Sequence, residues 1–464
     1  MVRHCPRRWQ QRRLCHDLFW WPNNRMRFDY PEGAAAPLLV CLALAMFATV
    51  VSPSGATAQP ADASDAHGSP GATVDELLDM GRRLNPSLAA SGLEAQAAQA
   101  RIGTAGRFPD PMFRTEFWDM RAARSGLPEE LNQVKYTLEQ TVPLWGKLDL
   151  QRKVAVAEAG MAAEQRRTVE TILAARIKAV FAGYYGTEET IRIDKELLDT
   201  VAAIARLAES RYSQGRGNQQ DVVTAEVERG RLQADLARLD GERRNWIAQM
   251  NALLNRPTGA LLAAPQVLRP MPGREAMQLD LLLDRARKAN PQLRADEAQI
   301  VAAERSAELV RRNWYPDPTF GFTVFDEDGN NGRQFGGYEA MVSFAIPLQW
   351  GLRRAQEQEA LARAAASRAR REATTADLQG QLEEAYWALD AARRGETILQ
   401  DINIPQSNVA LQSALASYQL GRTDLPSVLL AEQAVLRVTL DRIALLVEQQ
   451  MRLAELERVI GGDL

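Results

Sequence analysis

The side chains that most often carry covalent or metal chemistry are confined to one end of this chain. All three cysteines and two of the three histidines lie within the first 41 residues, namely Cys5, Cys15, Cys41, His4 and His16. Beyond them only His67 remains. A disulfide scaffold, a cysteine nucleophile, a Cys/His zinc site and a Ser-His-Asp triad each need residue types that the body of the chain lacks. The function must therefore rest on other features.

Carboxylates are the remaining candidates for catalysis, as the paired acids of a general acid–base site. The chain has 59 acidic residues, but no Asp/Glu pair stands out from the many charges expected on solvated helix faces. An enzyme with carboxylate chemistry is therefore a rival hypothesis without a site. We predict no catalytic residue, no cofactor and no bound metal.

The N-terminus has the order of a secretory signal. An arginine-rich stretch precedes an apolar run at 38–51, and small residues follow the run up to Ala58. A run of 14 residues is too short for a comfortable membrane span, and the alternative, a buried core helix, would need an amphipathic pattern that the run lacks. We predict a signal peptide at 1–58, with Met26 as an alternative start, and a linker at 59–74.

The composition excludes two further classes of protein. With 46% hydrophobic and 25% charged residues, the chain can bury a core and is not compositionally disordered. Its formal net charge of −3 becomes more negative once the arginine-rich leader is removed, and no basic cluster follows the leader. A mildly acidic exported protein of this kind is a poor nucleic-acid binder.

Four motifs occur twice, in the same order and at offsets of 204 to 207 residues. The pairs are Asn85-Pro86-Ser87-Leu88 and Asn290-Pro291-Gln292-Leu293, Pro109-Asp110-Pro111 and Pro316-Asp317-Pro318, Pro143-Leu144-Trp145-Gly146 and Pro347-Leu348-Gln349-Trp350-Gly351, and Arg211-Tyr212-Ser213-Gln214-Gly215 and Ser417-Tyr418-Gln419-Leu420-Gly421. One match would be weak, but four in order indicate duplication. We predict an internal two-fold repeat, with a first repeat at 75–255, a linker at 256–274 and a second repeat at 275–464.

Each predicted repeat contains two segments with a period of two, which is typical of strands. In one of them, Val134, Tyr136 and Leu138 alternate with polar residues. The predicted strands are 113–118 and 133–142 in the first repeat and 320–324 and 338–346 in the second, with polar loops at 121–130 and 326–337 between them.

A long stretch that is poor in proline follows each Trp-Gly pair. Residues 147–212 contain no proline, and residues 352–418 contain only Pro405. The first stretch, at about 1.5 Å per residue, predicts a helix on the order of 100 Å. The returning segment has heptads, at Ala225, Leu232, Leu239, Trp246 and Leu253. Such heptads predict antiparallel coiled coils, and on the helices alone a periplasmic coiled-coil scaffold is the favoured hypothesis.

The strands argue against a scaffold. The four segments have roughly the length of membrane-spanning β-strands, ~9 to 11 residues, and each has one apolar face. Four strands cannot close a barrel, and an open sheet edge is not tolerated in lipid. Several chains must therefore pool their strands, unless the strands form a small soluble β-domain on the helices. We predict a mainly α fold with a small β part: long antiparallel helices that form a periplasmic tube, and four transmembrane strands per chain.

The doubled motifs resemble those of the TolC-like outer-membrane efflux channels. The matching features are the two Asn-Pro-x-Leu helix starts, the Pro-x-Pro segments before the strand hairpins, the motif at 143–146 with its looser counterpart at 347–351, and the two Tyr-x-x-Gly turns. The resemblance runs from about Asp75 to the end of the chain. It implies a homotrimer with a 12-stranded β-barrel in the outer membrane and a periplasmic α-barrel. Implied partners are outer-membrane lipid, a periplasmic adaptor (membrane fusion) protein and an inner-membrane RND-type pump, with no enzyme activity and no cofactor.

In that family the Tyr-x-x-Gly turns close the helical hairpins at the periplasmic tip, where the tube narrows and the adaptor docks. The resemblance therefore places Tyr212, Gly215, Tyr418 and Gly421 at the tip. Asp221 falls where the family has an aspartate that bonds the tyrosine of the other tip, here Tyr418, and helps hold the channel shut. Helix-end chemistry explains the same residues in another way, because glycine suits a helix reversal and an acidic residue suits a helix N-terminus.

Two more tip residues are candidates, and one family feature is missing. Some members carry acidic residues six and nine positions after the second glycine, where this chain has Ser427 and Leu430. We therefore expect no acidic selectivity ring at those positions. Asp424 is the nearest substitute, although a helix N-cap or first-turn role explains it better. Arg422 lies beside it, and both residues are included in the predicted gate.

Three details favour a channel for metal cations. The Pro-x-Pro segment, Glu116 in the strand after it, and Gly146-Lys147 resemble the outer-membrane components of cobalt-zinc-cadmium and copper-silver efflux systems. Residues 144–149 follow the glycine-rich exit of that subgroup only loosely, so a channel for drugs or organic solutes, or for type I secretion, is an alternative. The lack of Cys and His in the body is expected if the pump selects the substrate.

Overall fold

The computed structural model describes residues 70–122, 128–329 and 332–464; the predicted signal peptide, Met26 and most of the 59–74 linker lie outside them. The first half of the described chain contains α1 Val74–Leu84, α2 Pro86–Thr104, β1 Met112–Ala122, β2 Pro128–Thr141, α3 Lys147–Ser213 and α4 Gln219–Leu253. The second half contains α5 Leu279–Ala289, α6 Pro291–Arg312, β3 Pro318–Gly329, β4 Gly332–Phe344, α7 Trp350–Ile398, α8 Ile404–Gln419 and α9 Leu425–Ile460.

The Asn-Pro pairs start helices, as predicted. Asn85 and Asn290 each accept a hydrogen bond from the backbone N–H three residues later, and the proline takes the first helical position, where its missing N–H has no cost. The same side chains donate to the end of a distant helix, Asn85 to the Leu253 carbonyl at 2.9 Å and Asn290 to the Val459 carbonyl at 2.7 Å. These bonds hold the start of α2 at the end of α4, and the start of α6 at the end of α9.

The long helices follow the sequence closely, with one difference. Helix α3 has 67 residues, and a returning helix α4 packs along it with Ala225, Leu232 and Leu239 of the predicted heptad buried. The stretch predicted at 352–418 is not one α-helix, because a π-helical turn, Leu399–Asn403, separates α7 from α8. Pro405 explains the turn, since it cannot donate to the preceding turn and its ring crowds the carbonyl there.

The helices make their main contacts as a row. Helix α3 contacts α2 and α4 from the first half and α6 and α9 from the second, while α6 and α9 in turn contact α7, and α9 also contacts α8. The row therefore runs from the α2 and α4 pair, through α3, through the α6 and α9 pair, to α7 and α8. No helix of the described ranges has a stretch that is long and apolar enough to cross a membrane.

The four strands form one antiparallel sheet in the order β1-β2-β3-β4. They have 11, 14, 12 and 13 residues and so exceed the predicted lengths. The predicted loops were wrong in extent, because pairing continues to Arg121 opposite Glu130 and to Gly329 opposite Gly332. Polar residues mark strand ends as well as loops wherever those ends face water. The outer edges of β1 and β4 have no partner strand among the described residues.

The sheet has one apolar and one polar face. On the apolar face, exposed aromatic rings stack across strands, Phe113 on Tyr136 at 6.5 Å and Phe322 on Tyr338 at 6.4 Å between ring centres. Cross-strand polar contacts cover the other face: Arg114 with Glu139 at 3.2 Å, Lys135 with Glu339 at 3.2 Å, and the Thr137 and Thr323 hydroxyls at 2.8 Å. The predicted alternation is confirmed, and no other described segment covers its apolar side.

A buried ion network joins the two halves. Glu457 on α9 accepts from Lys178 of α3 at 2.8 Å and from both terminal nitrogens of Arg269 at 2.9 and 3.0 Å. Lys178 and Glu457 are each only 4% exposed, and Lys178 also pairs with Asp463. The network fastens the 256–274 segment and the last helix to the longest helix.

Candidate functional site at the hairpin tips

The two predicted tip turns have the same backbone geometry. Gly215 and Gly421 both lie in the left-handed region, with φ of 71° and 69°. In each turn the N–H of the residue after glycine donates to the carbonyl five residues earlier, at 2.9 Å. This bond is the long one of a Schellman motif. The geometry explains both glycines, because a side chain at either position would strain the backbone.

The two tip tyrosines lie in different environments. Tyr212 is 49% exposed, whereas Tyr418 is 3% exposed. The ring of Tyr418 belongs to an apolar cluster near the tips, together with Ile204, Ala205, Ala208, Ala225, Leu425, Val428 and Leu429. These residues come from α3, α4 and α9, so Tyr418 at the end of α8 fastens the second hairpin to the first.

Arg211, which the sequence did not single out, is the polar partner of Tyr418. Its Nη1 donates to the Tyr418 carbonyl at 2.9 Å, and its guanidinium carbon lies 4.5 Å from the centre of the Tyr418 ring. The position that corresponds to Arg211 in the second tip is Ser417, so the contact has no duplicate. The only sequence signal was this charge difference between two otherwise similar turns.

The Tyr418 hydroxyl is buried and has no hydrogen-bond partner among the described residues. Burial raises its pKa, and the nearby Asp221 carboxylate raises it further, while Arg211 lowers it. Asp221 lies in the first turn of α4, as predicted, close enough for its charge to act on the hydroxyl. Asp221 thus acts on the hydroxyl both through its charge and as a neighbouring acceptor, although the pair does not reach the geometry of a regular hydrogen bond, and the predicted Asp221–Tyr418 bond stays a prediction.

Asp424 and Arg422 have simple surroundings. Asp424 is the N-cap of α9 and accepts from the Ser427 N–H at 3.3 Å. Hydrogen bonds from Ser427 lower the pKa of Asp424, which fits its N-cap role. Arg422 is exposed and forms no ion pair among the described residues. The structure thus brings Tyr418, Arg211 and Asp221 together and leaves Arg422 and Asp424 at the surface of the turn.

Two buried carboxylates lie next to the tip cluster, and sequence reasoning missed both. Glu228 of α4 and Glu432 of α9 are 9% and 5% exposed. Arg231 pairs with Glu228, and Gln433 donates to Glu228 at 3.3 Å, but Glu432 Oε1 has no partner among the described residues. Burial, and then the charge of Glu228, raise the pKa of Glu432 to about 7. A signal was present, because Glu432 falls three residues after the buried Leu429 and so lies on the same face of α9.

The described residues of the tip hold helices together. The described residues contain no group of three or more His, Cys, Asp or Glu side chains that could bind a metal ion. The tip also contains one buried aromatic side chain, Tyr418, with a cationic neighbour, Arg211, and an anionic neighbour, Asp221, where two hairpins of the chain meet. Such an arrangement can fix or release the relative position of the hairpins.

Comparisons with known proteins agree with this architecture. The sequence matches the family described as "Outer membrane efflux protein" over residues 77–256 and 282–462. No curated protein gives a significant match. The outer-membrane channel OprN is 19% identical with a TM-score of 0.71, covering 84% of this chain and 90% of that one. CusC is 17% identical with a TM-score of 0.72, covering 84% and 92%.

A third solved structure, the outer membrane protein VceC of Vibrio cholerae, is 17% identical with a TM-score of 0.70, covering 84% of this chain and 96% of that one. At such identities the three likenesses establish the fold. The sequence match establishes the family as well, because its two segments together span well over half of the chain. On that basis the chain belongs to the outer membrane efflux protein family.

Proposed function

We propose that this chain is the outer-membrane exit duct of a tripartite efflux assembly. The duct passively conducts substrate from an inner-membrane pump and a periplasmic adaptor to the outside. Residues 75–255 and 275–464 act as two structural repeats joined by 256–274, and the leader at 1–58 directs export. Three chains pool their strands into one 12-stranded barrel, and their helices continue into the periplasm as a tube.

The observation that carries this proposal is the uncovered apolar face of an open sheet. Large apolar side chains such as Phe113, Phe322 and Val342 are exposed on it, and within the described ranges neither β1 nor β4 has an outer partner strand. Exposed apolar strands with open edges are a strong aggregation hazard in water. Lipid is the environment that favours the apolar face, and closure with other copies is the way to satisfy the edges in lipid.

The row of helices supports a ring of the same kind. Within the part of the chain that the structure describes, the α2 and α4 pair has its main helix neighbours on one side only, and so does the α7 and α8 pair at the other end of the row. Exposed apolar side chains occur on both ends, for example Leu93 and Val227 on one and Trp387 and Val409 on the other. A head-to-tail contact between different ends closes a ring when the rotation fits.

The tip turns supply the proposed gate. In the proposal Gly215 and Gly421, with Tyr212 and Tyr418, form the periplasmic mouth where an adaptor docks. Asp221 bonds the Tyr418 hydroxyl in the closed state, with Arg422 and Asp424 at the rim. The buried and unbonded hydroxyl of Tyr418 near the Asp221 charge favours this idea, because a buried donor without a partner is costly and is expected to find one.

We propose metal cations rather than organic solutes as the substrate class. Support comes from the Glu116 resemblance and from the polar face of the sheet, where Glu116 accepts from Trp118 at 3.1 Å beside Arg114. A conducting duct needs no binding site for the metal, so the absence of Cys and His from residues 75–464 is compatible with this class. Export of organic solutes, or type I secretion, is the alternative that substrate-dependent resistance assays would reveal.

Conductance tests the proposal directly. We expect the purified protein to require detergent for extraction, to have the native mass of three chains, and to conduct ions across a planar bilayer. A stable monomer in detergent would contradict the shared barrel. Extraction by salt or alkali alone would instead support a periplasmic scaffold, and the duct would then have to be abandoned.

A further inference from the structure

The two halves of the chain are fastened together where the first strand hairpin returns to the helices. Trp145 stacks on Tyr315 with 5.1 Å between ring centres, and its Nε1 donates to the Pro316 carbonyl at 3.1 Å. The Lys147 ammonium donates to the Tyr315 carbonyl at 2.7 Å and to Asp317 at 2.8 Å. Lys147 is buried, and Trp145 has an uncommon left-handed backbone. This junction therefore ties the end of the first hairpin to the start of the second.

The residues that correspond to the junction by the repeat offset have no such contact. The counterparts of Tyr315 and Asp317, 207 residues earlier, are Phe108 and Asp110, and the counterpart of Trp145, 205 residues later, is Trp350. Phe108 is 59% and Trp350 is 61% exposed. Neither has an aromatic partner among the described residues, and Asp110 has no ion pair there either.

Phe108 and Asp110 lie at one edge of the sheet, and Trp350 lies at the opposite edge. Phe108 and Asp110 precede β1, whereas Trp350 follows β4, and β2 and β3 lie between them. Three inter-strand spacings of ~4.8 Å separate the edges by about 14 Å. Phe108 and Trp350 of one chain therefore cannot stack on each other while the sheet is intact.

We propose that Trp350 of one chain packs on Phe108 of a second copy, repeating between chains the junction that Trp145 makes with Tyr315 within one. We call this contact the seam, formed by residues 108–111 of one chain and 346–354 of the next. The inference rests on the proposed repeat and ring, and it names the surface through which the copies meet.

Apolar exposure supports a seam on the second-hairpin side. Four large apolar residues alternate along this segment and are all more than half exposed: Ile346, Leu348, Trp350 and Leu352. The segment is short, follows the last strand directly, and would lie at the end of the sheet rather than on its lipid-facing side.

Charge complementarity favours a second copy over lipid. Leu352 replaces Lys147 in the second half, but Arg353 and Arg354 follow it at once. Neither arginine forms an ion pair among the described residues, and Asp110 is equally unpaired. In the seam an arginine of one chain takes the place of Lys147 toward Asp110 of the next. Phospholipid headgroups would attract the arginines but would not favour Asp110.

The helices indicate that the seam continues away from the sheet. Within the chain, Gly160 of α3 lies against Ala298 of α6. The counterpart of Ala298 is Leu93 on α2, which is exposed at the opposite end of the helix row. A neighbouring copy that seats Trp350 on Phe108 also brings its α7 toward this face of α2.

Cysteine cross-linking tests the seam. In full-length protein with Cys5, Cys15 and Cys41 changed to serine, we would combine Phe108→Cys with Trp350→Cys and oxidise the sample in membranes. We expect covalent dimers and trimers on a denaturing gel, and none from either single variant. The matched control pair at the in-chain junction is Trp145→Cys with Tyr315→Cys. It should cross-link within one chain, so that no dimer or trimer band appears on the gel.

A second pair of cysteine substitutions tests the seam even if the first pair prevents folding. Asp110→Cys with Arg354→Cys changes only exposed charges, and a homobifunctional maleimide of short span should again give dimers and trimers. A native mass of three chains without any cross-linked ladder from either pair would overturn the seam and leave the proposed ring intact. A native mass of one chain would instead reject the ring itself, and the seam with it.

Discussion

The Arg211 guanidinium lies over the ring of Tyr418, 4.5 Å from its centre, while its Nη1 donates to the carbonyl of the same tyrosine at 2.9 Å. The two residues end different helices, α3 and α8, so this double contact joins the two hairpin tips of one chain. A partly buried cation–π contact and a charged hydrogen bond contribute about 0.5 to 3 kcal/mol each. Arg211 therefore helps to set the position of the buried tyrosine, together with the apolar cluster around its ring.

Replacing Arg211 with alanine should loosen the closed tip. We expect higher single-channel conductance in a planar bilayer with trimer assembly unchanged, because the contact lies at the hairpin ends. The conductance of Arg211→Lys should lie between those of the parent and Arg211→Ala, since an ammonium keeps the charge but loses the planar stack. Arg216→Ala changes an exposed arginine of the same turn and is the matched control. Equal conductance in all three variants would mean that this contact does not restrain the gate.

The proposed Asp221–Tyr418 bond predicts a non-additive pair. Asp221→Ala or Tyr418→Phe alone should raise conductance, since a hydroxyl bonded to a carboxylate contributes roughly 1.5 to 3 kcal/mol. The double variant should do little more than either single one, because both changes break the same bond. Tyr386→Phe, at a tyrosine of α7 outside the tips, is the control. If each variant conducts like the parent, the closure lies elsewhere, with Arg422 and Asp424 next to examine.

Glu432 should make stability depend on pH. Its pKa is raised from an ordinary 4.5 to about 7 in the folded chain, so the native state holds a proton that the unfolded chain releases. The bound proton stabilises the folded chain fully below pH 4.5, and this stabilisation is lost as the pH rises through about 7. The total loss in the free energy of unfolding is on the order of 3 kcal/mol. Glu432→Gln should raise the thermal midpoint at pH 8 and leave it nearly unchanged at pH 5.

The matched control for this prediction is Glu226→Gln, on the neighbouring helix, where the side chain is exposed and paired with Arg229. Its thermal midpoint should follow the parent at both pH values. A parent-like pH profile in Glu432→Gln would show that another group titrates in this range.

Glu457→Gln should destabilise the fold strongly. The change leaves Lys178 and Arg269 without the carboxylate that both of them contact. Breaking a buried ion network by removing one partner costs about 3 to 5 kcal/mol of unfolding free energy. Denaturant unfolding should report the loss, with Glu455→Gln as a control on the same helix, where the pair with Arg458 is more exposed. A change below about 1 kcal/mol would show that Lys178 and Arg269 find other partners.

Features that depend on neighbours in sequence were predictable. The caps at Asn85 and Asn290, the left-handed glycines and the buried heptad residues of α4 each follow from chain-local rules. The Arg211–Tyr418 contact was not predictable, since its partners are 207 residues apart and meet only through the relative rotation of two hairpins. The strand ends were misjudged because polar residues in a ladder and in a loop look alike until their partners are known. The gate and the substrate class stay predictions.

The π-helical turn at Leu399–Asn403 separates α7 from α8 and changes which face of the helix is buried after it. Leu382 and Leu389 on α7 are buried at a spacing of seven, and that phase continues to Ser417. After the turn, the side chains that pack inward are instead those of Leu411 and Tyr418, which are also seven residues apart. One extra residue in the turn advances the helix phase by about 100°. The burial of Tyr418 thus depends on a turn that ends fifteen residues upstream, and a one-residue insertion between the turn and Tyr418 would turn Ser417 inward in its place.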